Sequence, residues 1–220
     1  MSDASGGSGP DSLIFPGLAR ADLHMPHVEP GMRVGLFGGS FNPPHGGHLL
    51  VAETALMRLG LDQLWWIVTP GNPLKDTSSL APLADRMAAS RGVIDDRRIK
   101  VTAFEATYPS RFTADMIATV QTRNPMVNFV WIMGADNLAQ FHRWQHWQAI
   151  AASVPIAVID RPGSTLSFLS APAAQFLRRH RLDESDAQRL ARMDPPAWTF
   201  LHGPRSSQSS TALRAKKQGI

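Results

Sequence analysis

Short, almost wholly apolar runs recur along this chain with helix-length segments between them, and that alternation limits its fold more than any other feature. The runs cover 34–37, 63–69, 99–104, 127–133 and 155–159, with a further short one at 198–201. The stretches 47–59, 83–93, 113–122, 144–152, 168–180 and 184–193 read as helices, as does a last one at 211–217. Strands apolar on both faces belong in a sheet covered on both sides, and strand–helix alternation makes such a sheet parallel. Right-handed crossovers then give an α/β, Rossmann-like doubly wound domain. Its ligands bind beyond the carboxyl ends of the strands, so the loops there are where chemistry is expected. No internal repeat is present.

With 220 residues the chain suffices for one such domain and its core. Residues 1–30 are rich in Gly, Ser, Pro and Asp, without a period, and are expected to be a flexible or loosely docked N-terminal extension, leaving 31–220 as the domain. This extension has one Arg against Asp3, Asp11, Asp22 and Glu29, a balance of −3. The whole chain carries +4, so the body holds +7. A basic body suits anionic ligands. No Lys/Arg run interleaved with aromatics appears, which favours phosphorylated small molecules over nucleic acid. The chain has no cysteine, which excludes disulfides and Cys-based zinc sites. No stretch is long and apolar enough to span a membrane, and the N-terminus lacks a signal-peptide pattern, so a cytoplasmic protein is expected. Oligomeric state is not readable.

The first strand runs into Gly38-Gly39-Ser40-Phe41-Asn42-Pro43-Pro44-His45-Gly46-Gly47-His48 and then a helix. Without Cβ atoms, Gly38 and Gly39 let the backbone lie close to a bulky anion. The helix start directs N–H groups and partial positive charge at the same place. His45 and His48, three apart, share one face where the loop enters the helix. Backbone donors and two imidazoles around one anion site can stabilise phosphate charge. Taken singly, the glycines could be a turn and the histidines capping residues or a metal pair, although no further Cys or His follows at a zinc-like spacing.

Four later segments carry candidate groups. In the loop Thr69-Pro70-Gly71-Asn72-Pro73-Leu74-Lys75, Lys75 is either a solvated cation or a mobile phosphate ligand, and Asn72 either stabilises the turn or binds a ligand. Thr113 fits a helix N-cap. Asp136, after the 127–133 strand, is either a turn residue or a ligand-facing carboxylate. Trp144 and Trp147, three apart beside Arg143, suggest a stacking wall for a planar ring. Arg161 stands in an Arg-Pro-Gly step after the 155–159 strand. Ser209, Ser210 and Thr211 open the last helix with Arg214 one turn inside, a set that either caps the helix or aims hydroxyls and N–H groups at a phosphate.

Together these segments resemble the nucleotidyltransferase superfamily with the T/HxGH signature, here His45-Gly46-Gly47-His48. Within it, the Pro-x-Asn-Pro-x-Lys loop, the Gly134-Ala135-Asp136-Asn137-Leu138 step, the His142-Arg143-Trp144 run and the Ser209–Arg214 element are similar to bacterial nicotinate-nucleotide adenylyltransferases. The likeness spans about 32–217. It implies transfer of the adenylyl group of ATP to nicotinate mononucleotide, giving deamido-NAD and pyrophosphate, with Mg²⁺ brought by ATP. It implies that His45, His48 and Arg214 stabilise the transition state. It further implies that Gly38, Gly39, Ser40, Phe41, His48, Lys75, Asp136, Arg161, Ser209, Ser210, Thr211 and Arg214 bind ATP. Asn72, Lys75, Thr113 and Trp144 would bind nicotinate mononucleotide, with Trp144 stacked on its ring, nearby backbone N–H groups on its carboxylate, and Trp147 left to packing. The chain departs from the family pattern in having Phe112 for a tyrosine, Met116 for a threonine, and Gln208 and Leu213 for isoleucines. The rival readings are another transferase of this fold, such as phosphopantetheine adenylyltransferase, a preference for nicotinamide mononucleotide, and a non-catalytic nucleotide sensor.

Overall fold

The computed structural model describes residues 15–71, 80–110, 112–160 and 170–203. Seven strands form one parallel sheet: β1 (Arg33–Gly39), β2 (Gln63–Val68), β3 (Ile99–Thr102), β4 (Asn128–Gly134), β5 (Ile156–Ile159), β6 (Arg181–Leu182) and β7 (Trp198–Leu201). Their order is β3-β2-β1-β4-β5-β7-β6. The helices are α1 (Gly46–Arg58), α2 (Leu83–Gly92), α3 (Thr113–Arg123), α4 (Ala135–Phe141), α5 (Trp147–Ser153) and α6 (Pro172–Phe176), with 3-10 turns at Arg20–Leu23, Phe104–Thr107, Arg178–His180 and Glu184–Arg192. None of the described helices is long and apolar enough to cross a membrane.

Period-two alternation divides the apolar residues between two layers. Phe37, Leu64, Trp66, Val130, Ile132 and Ile159 face a layer containing Val51, Ala55 and Leu56 of α1, Met87 of α2 and Leu190 of the Glu184–Arg192 turns. Leu36, Trp65, Ile67, Trp131, Met133 and Val158 face the other layer, with Ile117 of α3, Leu138 of α4, Ile150 of α5 and Ala173 of α6. The sides follow from handedness. Connections from β1 to β2 and from β2 to β3 progress one way along the sheet, those from β3 to β4 and from β4 to β5 the other way. A right-handed crossover therefore puts α1 and α2 on one face and α3 to α5 on the opposite one. The direction of winding reverses between β1 and β4, so the crevice at their carboxyl ends is the expected ligand position. Trp65 and Trp66 are fully buried in opposite layers, and truncating either to Ala should cost about 3–5 kcal/mol.

The strand–helix alternation emerges as read, with local differences. The 99–104 strand ends at Thr102 because Phe104–Thr107 turns into a 3-10 helix. The helix read at 144–152 begins only at Trp147, where His146 has a left-handed φ of 55° that cannot continue a helix from Trp144. A separate helix, α4, directly follows β4. Of 168–180 only Pro172–Phe176 is α-helical, starting on a proline, and Arg181–Leu182 adds an edge strand too short to show a period. The 184–193 segment winds as 3-10 turns. The helix read at 211–217 lies outside the described residues, as do residues 1–14.

Residues 15–30, read as flexible, are docked where they are described. Leu23 is buried, Met25 and Val28 pack against one core layer, and Leu18 packs against the other. The Ala103 N–H donates to the Asp22 carbonyl at 2.7 Å, and the Thr102 hydroxyl donates to that of His24 at 2.9 Å. Arg91 of α2 pairs with the Asp22 carboxylate. The segment thus covers the end of edge strand β3, and composition alone conceals the apolar residues that hold it.

Candidate active site

The carboxyl end of β1 is glycine because a side chain there would crowd two buried rings. A Cβ on Gly38 would lie 2.9 Å from Cη2 of Trp131 on β4, and one on Gly39 would lie 3.1 Å from the Phe41 ring. Phe41 then takes a left-handed backbone, φ 44°, costly for a side chain of that size. It is held there by its ring, which stacks on Trp66 at 4.2 Å and meets Phe37 edge-on at 5.4 Å. Phe41 is 2% exposed. The loop next passes through a cis Asn42–Pro43 bond, and the Asn42 side-chain oxygen accepts from the Ala81 N–H at 3.2 Å.

His45 caps α1. Its Nδ1 accepts from the Gly47 N–H at 3.1 Å, so the neutral ring carries its proton on Nε2 and presents that nitrogen as a donor. The His48 ring lies 3.8 Å from the His45 ring, centroid to centroid, tilted by 33°. The Phe41 ring meets it edge-on at 5.0 Å, and those of Trp66 and Phe37 lie at 6.1 and 6.5 Å. His45 is buried and His48 half-buried, and the first turn of α1 contains no acidic residue. Two imidazoles, a helix N-terminus and a glycine strand end therefore converge on one place, as their spacing in the sequence predicts.

Arg86 of α2 is a residue the sequence reading passed over, since a single Arg in a short helix gives no signal of its own. Arg86 is 2% exposed, and its guanidinium lies among the backbone carbonyls of the loops. It donates to the carbonyls of Ser40 (2.7 Å), Thr69 (2.7 Å), Ala81 (2.9 Å) and Pro70 (3.5 Å). Burial holds its pKa below the ordinary arginine value. The group nevertheless stays charged, because guanidinium ionises far above neutral pH. It ties the β1–α1 loop to both ends of the β2–α2 connection.

Across the crevice, Trp131 faces Gly38 and meets Trp144 edge-on at 6.3 Å. Trp144 is half-buried and also packs edge-on against Phe141 at 5.5 Å. Trp147 packs between Phe141 (5.7 Å) and Phe176 (5.2 Å). Asp136 is exposed in the first turn of α4, beyond β4. Thr113 differs from the cap expected of it. It is the first residue of α3, while Phe112 holds the N-cap position and donates its N–H to Ser110 Oγ at 3.2 Å. The start of α3 nonetheless faces the carboxyl end of the sheet. Gly38, Gly39, Ser40, Phe41, His45 and His48 are thus assembled in one loop, with Trp144, Asp136 and Thr113 on neighbouring elements at the same end. Asn72, Lys75, Arg161, Ser209, Ser210, Thr211 and Arg214 lie outside the described residues. Among the described residues, no group of three or more His, Cys, Asp and Glu side chains is arranged to hold a metal.

A doubly wound parallel sheet with this loop at its switch point defines the nucleotidyltransferase class, and the sequence pattern of the cytidylyltransferase-like family matches residues 36–216. A protein of Mesorhizobium japonicum named "Probable nicotinate-nucleotide adenylyltransferase" is 64% identical over 195 residues, 89% of this chain and 100% of its own length. One of Brucella abortus with the same name is 67% identical over 183 residues, 83% of this chain and 94% of its own. Among solved structures, the nicotinic acid mononucleotide adenylyltransferase of Plasmodium falciparum complexed with NaAD superposes with a TM-score of 0.62 at 17% identity, over 84% of this chain and 83% of that one, a likeness of fold. The chain belongs to the nicotinate-nucleotide adenylyltransferase family.

Proposed function

We propose that this chain transfers the adenylyl group of ATP to nicotinate mononucleotide, releasing pyrophosphate and forming nicotinate adenine dinucleotide for NAD biosynthesis, with His45 and His48 as its transition-state donors. The observation that carries the assignment of roles is the packed His45–His48 pair at the N-terminus of α1, beside a glycine strand end where a side chain would crowd two buried rings.

The reaction needs little covalent chemistry from the protein. An oxygen of the mononucleotide 5′-phosphate attacks the α-phosphorus of ATP in line. The bond from that phosphorus to the bridging oxygen breaks, and pyrophosphate leaves with the electron pair. A phosphate monoester is already anionic at neutral pH, so no general base is required. The protein must hold two anions together and stabilise charge growing on the leaving group. The Nε2–H of His45, fixed by its Nδ1 acceptor bond, is one donor for that charge. His48, braced by Phe41, is the second, and Arg214 and Lys75 add cationic donors. Gly38, Gly39, Ser40, Phe41, Asp136, Arg161, Ser209, Ser210 and Thr211 complete the ATP site. Mg²⁺ enters as part of the MgATP substrate, where it neutralises triphosphate charge. Its preference for phosphate and water oxygens suits a site whose described donors include the imidazoles of His45 and His48 and the carboxylate of Asp136.

Trp144 offers its ring face to the nicotinate, with Asn72 and Thr113 as further contacts. The N–H groups of Arg143, Trp144 and Trp147 already donate to the carbonyls of Gln140, Phe141 and Trp144. That leaves those of Gln145 and His146 for the nicotinate carboxylate. The partners are small anionic substrates in the cytoplasm, not nucleic acid or membrane.

The test is His48→Ala with saturating substrates. The expected turnover is about 10²–10³-fold below wild type with an unchanged melting curve. Unchanged turnover with only a raised KM for ATP would remove the transition-state role of His48.

A further inference from the structure

We infer that Arg86 is a positioning residue for adenylyl transfer: by holding the Ser40 carbonyl it fixes the left-handed Phe41, and through Phe41 the catalytic placement of His48. This rests on the role proposed above for His48.

Both terminal hydrogens of one guanidinium nitrogen, Nη1, are in use, one on the Ser40 carbonyl and one on that of Thr69, each at 2.7 Å. The Nε–H reaches the carbonyl of Ala81 at 2.9 Å. In a trans peptide the C=O and N–H point in opposite directions. Pinning the Ser40 carbonyl towards α2 therefore fixes the orientation of the whole Ser40–Phe41 peptide. The next torsion along the chain is the φ of Phe41, which stands at 44°. A non-glycine residue stays there only when its surroundings over-determine it. The Trp66 and Phe37 rings packed on Phe41 do so here, together with the Arg86 bond one peptide earlier.

Phe41 is in turn one of the rings packed around His48, at 5.0 Å, with His45 at 3.8 Å. If the Ser40–Phe41 peptide relaxes, the Phe41 ring leaves its place and His48 loses the nearest ring after His45, keeping only the more distant Trp66 and Phe37 beside it. The guanidinium is also chemically matched to this task. Its donors lie in one plane and point in different directions, so it can serve carbonyls from three segments at once. An ammonium is a point charge on a thinner stem and cannot reproduce that spread. Arg86 touches no reacting atom in this arrangement; it acts through Phe41.

A double-mutant cycle tests this, using Arg86→Lys, His48→Ala and the pair in pyrophosphate-release kinetics, with urea unfolding of each variant to set a temperature at which all are folded. Arg86→Lys keeps the charge and most of the volume. It is expected to lower kcat by about 10–100-fold, as small displacements of catalytic groups do, with KM for ATP within about threefold of wild type. In the His48→Ala background the same change should cost less than about threefold, because the group it positions is gone. Full additivity of the two losses, or a folded Arg86→Lys with wild-type kcat, would overturn the positioning role. His48→Ala at wild-type kcat would instead overturn the role of His48 itself, and this proposal with it. If Arg86→Lys is unfolded at every usable temperature, Phe41→Leu carries the same cycle. It leaves Arg86 intact and removes the ring against His48, and it is read on kcat alone, because Phe41 is itself part of the ATP site: full additivity with His48→Ala, or wild-type kcat, would overturn the relay through Phe41.

Discussion

Gly38→Ala probes how the strand end and the nicotinate side of the site are joined. The new methyl would lie 2.9 Å from Cη2 of Trp131, with the next ring atoms at 3.6 and 3.8 Å. Only one atom is badly close, so the ring or the strand must yield by roughly half an ångström, given ordinary carbon contacts of about 3.5–4.0 Å. The indole is a rigid plate, 3% exposed and backed by Trp144, so it cannot swing aside like the end of a flexible chain. Overpacking of this kind costs about 1–3 kcal/mol, and about 2 kcal/mol is taken here. For a domain of this size that lowers Tm by about 4–8 °C. Because Trp131 bears on Trp144, the KM for nicotinate mononucleotide should rise more than that for ATP. Trp131→Phe removes the offending Cη2 and loses no hydrogen bond seen here, since the Trp131 indole N–H has no acceptor among the described residues. Calorimetric melts of the two single variants and the double variant should show Trp131→Phe relieving much of the Gly38→Ala loss. A Gly38→Ala protein melting within about 1 °C of wild type, or an equal loss in both backgrounds, would refute the steric reasoning.

Three further outcomes follow from other parts of the structure. Trp144→Ala should raise the KM for nicotinate mononucleotide by about 5–100-fold, the range of one lost ring stack, and leave that for ATP within about threefold; steady-state kinetics with each substrate varied decides it. Burial opposes ionisation of Glu184, but hydrogen bonds from His202 and Arg58 outweigh it and hold its carboxyl below the usual range. Its stabilisation is therefore fully present at neutral pH and is lost as pH falls through that lowered value. Glu184→Gln should cost about 1 kcal/mol at pH 7, kept small by solvent screening, and progressively less as pH falls through the lowered carboxyl value, as urea titrations over a descending pH series would report. Leu23→Ala should cost about 2 kcal/mol by the same titration, because residues 15–30 are part of the packed structure; no change would mean that they are not.

The sheet was legible because each central strand is apolar on both faces, which only a doubly covered parallel sheet explains, and runs such as that of β2 have no alternative period. The loop from Gly38 to His48 was legible because it concentrates residues with unusual backbone or chemical properties at fixed spacing. What escaped was set by tertiary contacts. Nothing local in Ser40 or Arg86 announces a bond between them 46 residues apart, and nothing in Gly38 names Trp131 as the side chain that excludes a Cβ. The break before Trp147 depends on a left-handed His146, which a helical pattern running from Trp144 hides. Thr113 looked like a cap because its hydroxyl suits that role, yet the chain gives the N-cap position to Phe112. The docked 15–30 segment was masked by its polar composition, since Leu18, Leu23, Met25 and Val28 have no periodic pattern to mark them.

The most direct test of adenylyl transfer to nicotinate mononucleotide is pyrophosphate release from MgATP with nicotinate mononucleotide, nicotinamide mononucleotide and phosphopantetheine offered separately as acceptors. The site described here predicts strong release with the first and far weaker release with the other two. Equal or greater release with either of the others would contradict the assigned acceptor, and ATP binding without release to any of the three would contradict the enzyme assignment itself.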